Sequence, residues 1–383
     1  MSGFDLTAEQ EQLKAVAAKV AADVYVAPAA RWDLERTSLP REEVARLADL
    51  GYLGLAIPEE YGGQGGTLVD ALVVIEELAK VCRPAAFQVF ECNTGPIRVI
   101  QFFGTEEQKQ RWLRPLAEGT ALGAFGLTEP EAGSDAASIR TRARRDGTDW
   151  VIDGTKMFIT NAGTEMSAGV TLLAVTGEED GKKRYGSFYV PNGTAGYTKG
   201  APLKKIGWHA MDTRELVFDG CRVPADHLIG AEGHGLRQFL EVLAAGRISI
   251  AALSVSLTTA VLRLATDHAT QRKQFGQPIG RFQAVAHKLA DIATELEAAR
   301  WLTYRAASLF DAGRPYATEA AMAKLFASEV ANRAASAAVQ IHGGYGFMRE
   351  SAVARFYSDA KILEIGEGTS EIQRTVIARA LGV

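Results

Sequence analysis

Glu367 stands between Gly366 and Gly368, shortly before the last helical segment of the chain. Because glycine has no Cβ, backbone and ligand can approach each other closely at such a turn. Ser370 and Gln373 have the spacing of a capping box, so the turn leads into a helix that begins with free N–H groups. A carboxylate beside exposed amide donors is suited to removing a proton alpha to a carbonyl. The alternative interpretation is a solvated glutamate in a loop before a capped helix.

Two segments in the middle of the chain could bind an anionic cofactor that carries a ring system. The segment from Thr128 to Asp135 contains Gly133 and Ser134, and it can present backbone N–H and hydroxyl groups to an anion. Farther along, a predicted strand ends with Phe158 and Thr160 on opposite faces. The aromatic ring suits contact with another ring and the hydroxyl suits a hydrogen bond. Phe158 could equally be an aromatic residue of the core.

Two further glycine-containing turns interrupt the helical part of the sequence. Arg272 to Pro278 reads RKQFGQP, and its arginine could pair with a pyrophosphate. Gln340 to Phe347 reads QIHGGYGF, which permits close backbone contact. The sequence has neither a GxGxxG segment after a strand nor a Walker A motif, so any dinucleotide must be bound outside a Rossmann unit.

The elements that position these residues fall into three blocks. Residues 1–120 show helical spacing, with a capping box at Thr7 and Gln10, a second helix behind Thr67, and a third that begins at Thr105 and is capped with Gln108. Residues 121–228 show strand patterns, and residues 229–383 return to long helical patterns. The predicted fold is mainly α with a central β domain. It comprises an N-terminal helical domain, a small antiparallel β domain and a C-terminal four-helix bundle.

The local patterns also predict individual elements. Asp146-Gly147 is a hairpin signal between two strands. Apolar residues from Phe282 to Ala299 recur at spacings of three and four, which is typical of a bundle seam. Strands are predicted at Gly123 to Thr128, Ser138 to Arg145, Trp150 to Thr160, Val170 to Thr176, Ser187 to Val190 and Glu215 to Phe218.

Composition narrows the functional classes. The chain has 383 residues, 47% of them hydrophobic and 23% charged, as is ordinary for a globular enzyme. A net charge of −4 gives no reason to expect a nucleic-acid partner. Three scattered cysteines without a CxxC pair, and histidines without ligand spacing, predict neither a disulfide framework nor a metal site. No membrane-spanning segment and no signal sequence is expected, so we expect a cytoplasmic protein.

Taken in order, these segments resemble the acyl-CoA dehydrogenase family over essentially the whole chain. The most specific segments are TEPEAGSD at Thr128 to Asp135, RKQFGQP at Arg272 to Pro278, QIHGGYGF at Gln340 to Phe347 and EGTSEIQR at Glu367 to Arg374. The stretch from Lys288 to Glu329 is most similar to the short-chain and short-branched-chain members.

The resemblance implies an FAD enzyme that oxidises a short- or branched-chain acyl-CoA to the trans-2-enoyl-CoA. Glu367 matches the family's base, which removes the alpha proton while the beta hydrogen leaves as hydride to flavin N5. The base's own backbone N–H and a ribityl hydroxyl of FAD bind the thioester oxygen in the family. Electron-transfer flavoprotein is the implied acceptor and a homotetramer the implied assembly. The alternatives are a flavin-dependent acyl-CoA oxidase or monooxygenase on the same fold and, more remotely, a non-catalytic helical oligomer.

Matching positions give the implied site residues. Those on the flavin of the same subunit are Phe125, Leu127, Thr128, Gly133, Ser134, Phe158, Ile159, Thr160, Thr369 and Glu371. Those on the FAD of a neighbouring subunit are Arg272, Phe275, Gln283, Gln340, Ile341, His342, Gly343 and Gly344. Those that face the acyl-CoA are Ser134, Gly246, Arg247, Gly368 and Arg379.

The sequence departs from the family pattern at several of these positions. Gly246 occupies the place where some members carry the base on a long helix, which leaves Glu367 as the base here. A glycine inside a helix costs about 1 kcal/mol relative to alanine, and room for the acyl chain or a close helix crossing could account for it. Phe158 replaces a common tryptophan, Gly366 a frequent tyrosine, and Glu371 a common glutamine.

Overall fold

The computed structural model describes residues 5–383, and its chain begins with a layer of helices. The helix starts predicted at Thr7, Thr67 and Thr105 are confirmed, because each threonine hydroxyl accepts the N–H three residues later. Single π-helical turns connect α1 to α2 and α7 to α8. The helices of this layer are Ala8–Val20 (α1), Val26–Glu35 (α2), Arg41–Asp49 (α3), Leu68–Ala79 (α4), Arg83–Asn93 (α5), Ile97–Phe103 (α6), Glu106–Gln108 (α7) and Arg114–Ala117 (α8).

An eight-stranded sheet follows the first helices. Its order is β6-β7-β3-β2-β4-β5-β8, with β1 paired to β4. Most pairs are antiparallel, and the pairs β1–β4 and β2–β4 are parallel. The strands are Leu122–Gly126 (β1), Arg142–Asp146 (β2), Asp149–Thr160 (β3), Ser167–Glu179 (β4), Lys182–Pro191 (β5), Tyr197–Lys199 (β6), Thr213–Pro224 (β7) and Leu228–Ile229 (β8).

The structure confirms one sheet prediction and corrects another. The hairpin at Asp146-Gly147 joins β2 to β3, with Gly147 at φ 63°. The strand predicted from Ser138 starts only at Arg142. Its first part fails to pair because the Glu129 carboxylate accepts the N–H groups of Arg140 and Thr141, which therefore do not donate in a strand ladder at that point. The short strands β6 and β8 were not predicted.

The last part of the chain is again helical, as predicted. Helices α9 and α11 pack together, and buried alanines of α11 such as Ala327 and Ala334 have small side chains that permit close approach. Within the predicted seam, Ile292, Leu296 and Ala299 are buried. The elements are Gly235–Gln271 (α9), Lys273–Gln274 (β9), Gln277–Pro278 (β10), Gln283–Asp311 (α10), Ala317–His342 (α11), Gly344–Phe347 (α12), Ala352–Ala360 (α13), Ile362–Ile365 (α14) and Ser370–Ala380 (α15).

The expectation that no segment is long and apolar enough to span a bilayer is wrong for α9. By length and composition this helix meets the criterion for a membrane span. However, 78% of its most apolar window is buried inside the fold. Its apolar character is therefore that of a central core helix, which contacts α4, α10 and α11.

Candidate active site

The turn that carries Glu367 has a left-handed backbone. After α14, Gly366 is extended, and Glu367 and Gly368 have φ values of 56° and 93°. Such a conformation is uncommon for a residue with a Cβ and points to a functional constraint. The predicted capping box at Ser370 and Gln373 is wrong by one residue. Thr369 is the N-cap, and its hydroxyl accepts the N–H of Ile372 at 3.4 Å.

Side chains from three helices bind the carbonyl groups of this turn. The Glu367 carbonyl accepts from Arg247 Nε at 3.3 Å and from Gln373 Nε2 at 3.2 Å. The Gly368 carbonyl accepts from Gln373 Nε2 at 2.8 Å and from Lys324 Nζ at 2.7 Å. No acceptor for the Glu367 N–H is found among the described residues. The turn is thus fixed through its carbonyl groups while the amide of the candidate base is available to a ligand.

The structure explains why the helical position 246 is a glycine. A Cβ built on Gly246 would lie 2.8 Å from Glu367 Oε2 and 3.2 Å from Glu367 Cδ. The carboxylate therefore occupies the space that a side chain on α9 would fill. The suggested close helix crossing is not the reason, because the three nearest atoms all belong to the Glu367 side chain.

Burial governs the acidity of the site. The Glu367 carboxyl group is enclosed although the turn itself keeps some exposure, and this burial raises its pKa to about 7, opposed by the positive charges of Arg247 and Lys324. Glu91, on α5, is 9% exposed. Burial and the negative charge of Glu367 raise the pKa of Glu91 well above its usual value. Burial therefore makes both carboxyl groups weaker acids than usual, and the Glu367 group titrates near neutral pH.

Three residues of this site, Lys324, Gln373 and Glu91, were not predicted as site residues. Lys324 could have been found from the sequence, because it is a charged residue within the alanine-dense stretch after Ala320. A lysine on a buried helical face needs a partner. Gln373 was assigned to a capping box, a role that hid its contacts with the turn. Glu91 gave no signal, because its environment depends on how α5 meets the C-terminal helices.

The segment predicted to bind the flavin starts at the end of β1. Phe125 stacks on Phe239 of α9, with ring centroids 4.4 Å apart, and Leu127 is buried. Thr128 accepts the N–H of Met157 through its carbonyl, which ties this turn to β3. A Cβ built on Gly133 would have only one atom within 4 Å, at a distance of 3.9 Å, so there is open space beside this glycine.

The end of β3 presents alternating side chains to two sides. A register shift between Lys156 and Ile159 bulges the strand, and Phe158 has φ 65° and is 65% exposed. The alternative placement of Phe158 in the core is therefore wrong. Ile159 belongs to the sheet core, so only its backbone can face a cofactor, whereas Thr160 is half-buried.

A buried ion pair contacts the turn from Thr128 to Asp135, which is predicted to bind the flavin. Lys156 Nζ donates to Glu129 Oε1 at 2.8 Å and to the Leu127 carbonyl at 2.9 Å, and both charged side chains are buried. Burial lowers the pKa of Lys156 to about 8, and Glu129 opposes that shift. Because the pair joins β3 to the start of the turn, at Leu127 and Glu129, it holds that part of the turn in place.

We expect the change Lys156→Met to destabilise the protein by about 3–5 kcal/mol, because it leaves the Glu129 carboxylate buried without its partner. FAD retention should fall in parallel. Urea unfolding and the flavin content after gel filtration measure the two effects. Adding Glu129→Gln to Lys156→Met should recover part of the stability. A single variant as stable as the parent would contradict this role of the pair.

The remaining predicted cofactor residues lie at the far end of the bundle. The β9–β10 hairpin carries Phe275, which is 93% exposed, and Gln283 is exposed at the start of α10. Gly343 ends α11 at φ 58°, and His342 stacks on His268 with centroids 4.3 Å apart. The predicted residues at this end are Arg272, Phe275, Gln283, Gln340, Ile341, His342, Gly343 and Gly344.

Helix length separates this far end from the base. Gly246 and Arg272 are connected by α9, which at 1.5 Å per residue spans about 39 Å between them. Within one chain, the predicted residues of the far end are therefore well separated from the base. Of the other predicted residues, Gly368 and Arg247 lie at the base, Thr369 and Glu371 begin α15, and Ser134 is exposed beyond Gly133. Arg379 is exposed near the end of α15, about 14 Å along the helix from its start.

The residues near β1 and β3 fit a flavin. An exposed aromatic ring at Phe158, a half-buried hydroxyl at Thr160 and an open glycine turn at Gly133 form a surface of apolar and hydrogen-bonding groups. A ring with polar edges needs such a surface. Among residues 5–383, no group of three or more His, Cys, Asp or Glu side chains could hold a metal ion.

Known proteins resemble the whole chain. The probable acyl-CoA dehydrogenase YngJ of Bacillus subtilis is 46% identical over 379 residues, which cover 99% of each chain. The structure of butyryl-CoA dehydrogenase from Megasphaera elsdenii superposes with a TM-score of 0.94 at 38% identity, covering 99% of each chain. A chain from a structure of the electron transferring flavoprotein of Acidaminococcus fermentans superposes with a TM-score of 0.94 at 39% identity, again covering 99% of each.

Sequence models of one family match nearly all of the chain. The acyl-CoA dehydrogenase N-terminal domain matches residues 7–120, the middle domain residues 124–221 and the C-terminal domain residues 233–382. With these matches and relatives above 40% identity over almost the full length, the chain belongs to the acyl-CoA dehydrogenase family, whose members are oxidoreductases.

Proposed function

We propose that the protein oxidises a short- or branched-chain acyl-CoA to the trans-2-enoyl-CoA, with Glu367 as the base. The observation that carries the proposal is the enclosed Glu367 carboxylate, which lies against Gly246 in a left-handed turn and has a pKa of about 7. Similarity to butyryl-CoA dehydrogenase, an enzyme named for a short acyl group, supports this choice of substrate.

Each residue of the turn has a defined task in this reaction. The ionised Glu367 carboxylate takes the proton from the carbon next to the thioester carbonyl. The free Glu367 N–H donates to the thioester oxygen and stabilises the negative charge that develops there. The Arg247 and Lys324 charges favour the ionised base, and enclosure of the carboxylate excludes water from it. FAD, when bound, accepts the beta hydrogen as hydride.

The cofactor residues divide between two subunits in this proposal. The turn around Gly133 and the end of β3 at Phe158 and Thr160 would hold the flavin ring, and the far-end residues around Phe275 would reach the FAD of a neighbour. The separation of about 39 Å along α9 supports this division. The assembly would then be at least a dimer, and the family resemblance implies a homotetramer.

The electron acceptor and the cellular location are further parts of the proposal. Electron-transfer flavoprotein is the proposed acceptor, supported by the similarity to a chain in a structure of such a protein. The exposed ring of Phe158, where family members commonly have tryptophan, lies where electrons would leave the flavin. The proposed location is the cytoplasm.

The acyl group is the least constrained part of the proposal. Gly366 adds no side chain to the wall of the turn, and a Cβ there would make only an ordinary contact, 3.5 Å from the Ile362 carbonyl. The open wall supports a branched as well as a linear short acyl group. Anaerobic titration with linear and branched acyl-CoAs decides between them, since only a substrate bleaches the flavin.

The same titration tests the reaction class. Bleaching by a short acyl-CoA, followed by reoxidation with electron-transfer flavoprotein, is the expected result. Rapid peroxide formation from the reduced enzyme in air would instead indicate an oxidase. A purified protein that contains no flavin and takes up none would indicate a non-catalytic helical oligomer.

The rate of flavin bleaching should depend on pH. Because the pKa of the Glu367 carboxyl group is raised to about 7, the group is protonated and unable to accept a proton at lower pH. We expect the rate to rise about tenfold per pH unit up to pH 7 and to level off above it. Stopped-flow absorbance under anaerobic conditions measures the profile. A rate that stays constant between pH 5 and pH 8 would contradict a base with this pKa.

A further inference from the structure

Lys324 makes an unusual contact for a buried lysine. Its side chain, on α11, is 0% exposed, and its Nζ donates to the Gly368 carbonyl at 2.7 Å. Lys156, the other fully buried lysine of the described residues, is paired directly with Glu129 at 2.8 Å. Within residues 5–383, no carboxylate forms such a direct pair with Lys324.

A hydrogen bond to the Gly368 carbonyl does not by itself account for a buried charge. Placing an ammonium group in the interior costs free energy unless nearby negative charge offsets it. The same carbonyl already accepts from the neutral Gln373 side chain at 2.8 Å. What Lys324 adds beyond a second hydrogen bond to this carbonyl is therefore its positive charge. The negative charge that it can offset is the Glu367 carboxylate, one residue away from the bound carbonyl.

The charges around the base come from five helices. Arg247 on α9 and Lys324 on α11 favour the ionised Glu367, whose negative charge in turn raises the pKa of Glu91 on α5. Glu364 on α14 is bound by Lys361, and Glu371 on α15 is exposed to solvent. Arg247 also binds the Glu367 carbonyl. Lys324 is thus one of two cations that act on the carboxylate.

We propose that Lys324 is a positioning residue for the base of this enzyme. Its bond to the Gly368 carbonyl holds the left-handed turn that directs the Glu367 carboxylate against Gly246, and its charge attracts the ionised carboxylate. The proposal rests on the proposed function, because it assigns a role towards the base named there. It goes beyond the four most specific sequence segments, at 128–135, 272–278, 340–347 and 367–374, none of which includes residue 324.

Two substitutions separate the charge of Lys324 from its hydrogen bond. In Lys324→Gln, a neutral donor replaces the ammonium group. We therefore expect the midpoint of the pH profile of anaerobic flavin bleaching to rise by about one pH unit, and the bleaching rate to reach the parent value at high pH. In Lys324→Met, both functions are lost, so a loss of about 10²-fold should persist at high pH, as expected when a catalytic group is misplaced by about 1 Å.

A second readout is independent of turnover. Infrared difference spectra of the holoenzyme, with Glu367→Gln as the blank, follow ionisation of the Glu367 carboxyl group directly. We expect Lys324→Gln to raise the midpoint of this titration by about one pH unit. The matched control is Lys204→Gln, which removes an exposed charge from the β domain and should leave the midpoint unchanged.

The outcomes distinguish this inference from the proposed function. If Glu367→Gln abolishes bleaching but Lys324→Gln has the parent midpoint and pH profile, the role of Lys324 is refuted and the base assignment stands. If Glu367→Gln bleaches normally, the base assignment itself fails. Because Lys324→Gln retains a polar donor, it serves as the test even if Lys324→Met does not fold.

Discussion

The variant Glu367→Gln should bind FAD and acyl-CoA normally but reduce its flavin about 10⁴-fold more slowly, which is the upper end of the effect of a positioned base. Glutamine keeps the size of the side chain and the backbone of the turn, so Arg247, Lys324 and Gln373 still have their carbonyl partners. It cannot take a proton from carbon. Anaerobic stopped-flow absorbance with saturating substrate measures the loss.

The matched control for this variant is Glu91→Gln. It removes the other buried carboxyl group near the turn, whose pKa is raised well above its usual value by burial and by the negative charge of Glu367. We therefore expect Glu91→Gln to keep its bleaching rate within about tenfold of the parent enzyme. If Glu91→Gln lost activity while Glu367→Gln kept it, the roles of the two carboxyl groups would be exchanged.

The variant Gly246→Ala should gain stability and lose activity. Alanine favours a helix interior by about 1 kcal/mol over glycine. Its methyl group, however, would lie 2.8 Å from Glu367 Oε2, so the flexible end of the Glu367 side chain must move away. Displacing a catalytic group by about 1 Å can cost about 10²-fold in rate. Thermal unfolding and anaerobic flavin bleaching, measured on the same preparation, show the two opposite effects.

A glycine with free space around it provides the control for Gly246→Ala. No atom lies within 4 Å of a Cβ built on Gly177, in β4, and its φ is not in the left-handed region. Gly177→Ala should leave the bleaching rate unchanged. If Gly246→Ala bleached as fast as the parent, the Glu367 carboxylate would not need the space that the structure reserves for it.

Much of the fold could be predicted because its signals are local. The three helix starts at threonines, the Asp146-Gly147 hairpin and the long heptad-like seam each depend on residues only a few positions apart. The exceptions depend on distant contacts. The strand predicted from Ser138 is shortened by the carboxylate of Glu129, and β8 is only two residues long, too short to give a pattern.

The candidate site was predictable to a more limited extent. The position of Glu367 between two glycines pointed to a tight turn, and the turn has that character. The hydrogen bonds from Arg247 and Lys324 were not predictable, because these residues approach from helices distant in the sequence. Gln373 is close in the sequence, but its assignment to a capping box hid its contacts with the turn. The reason for Gly246 was likewise a contact across 121 positions, which no local pattern encodes.

The strand bulge at Phe158 shows a further limit of local reasoning. Period-two alternation predicted a strand up to Thr160 and left open whether Phe158 lies in the core. The shift in register between Lys156 and Ile159 turns the ring outwards at a positive φ. A bulge of this kind is visible only when both paired strands are in place.

Exchange of the alpha hydrogen tests the assignment of Glu367 as the base most directly. A CoA thioester with sulfur in place of its beta carbon keeps alpha hydrogens but has no beta hydrogen to lose as hydride. In D₂O, mass spectrometry of this analogue should show alpha deuteration by the parent holoenzyme, faster as the pH rises to about 7, and none by Glu367→Gln. Undiminished deuteration by Glu367→Gln would show that another group removes the proton.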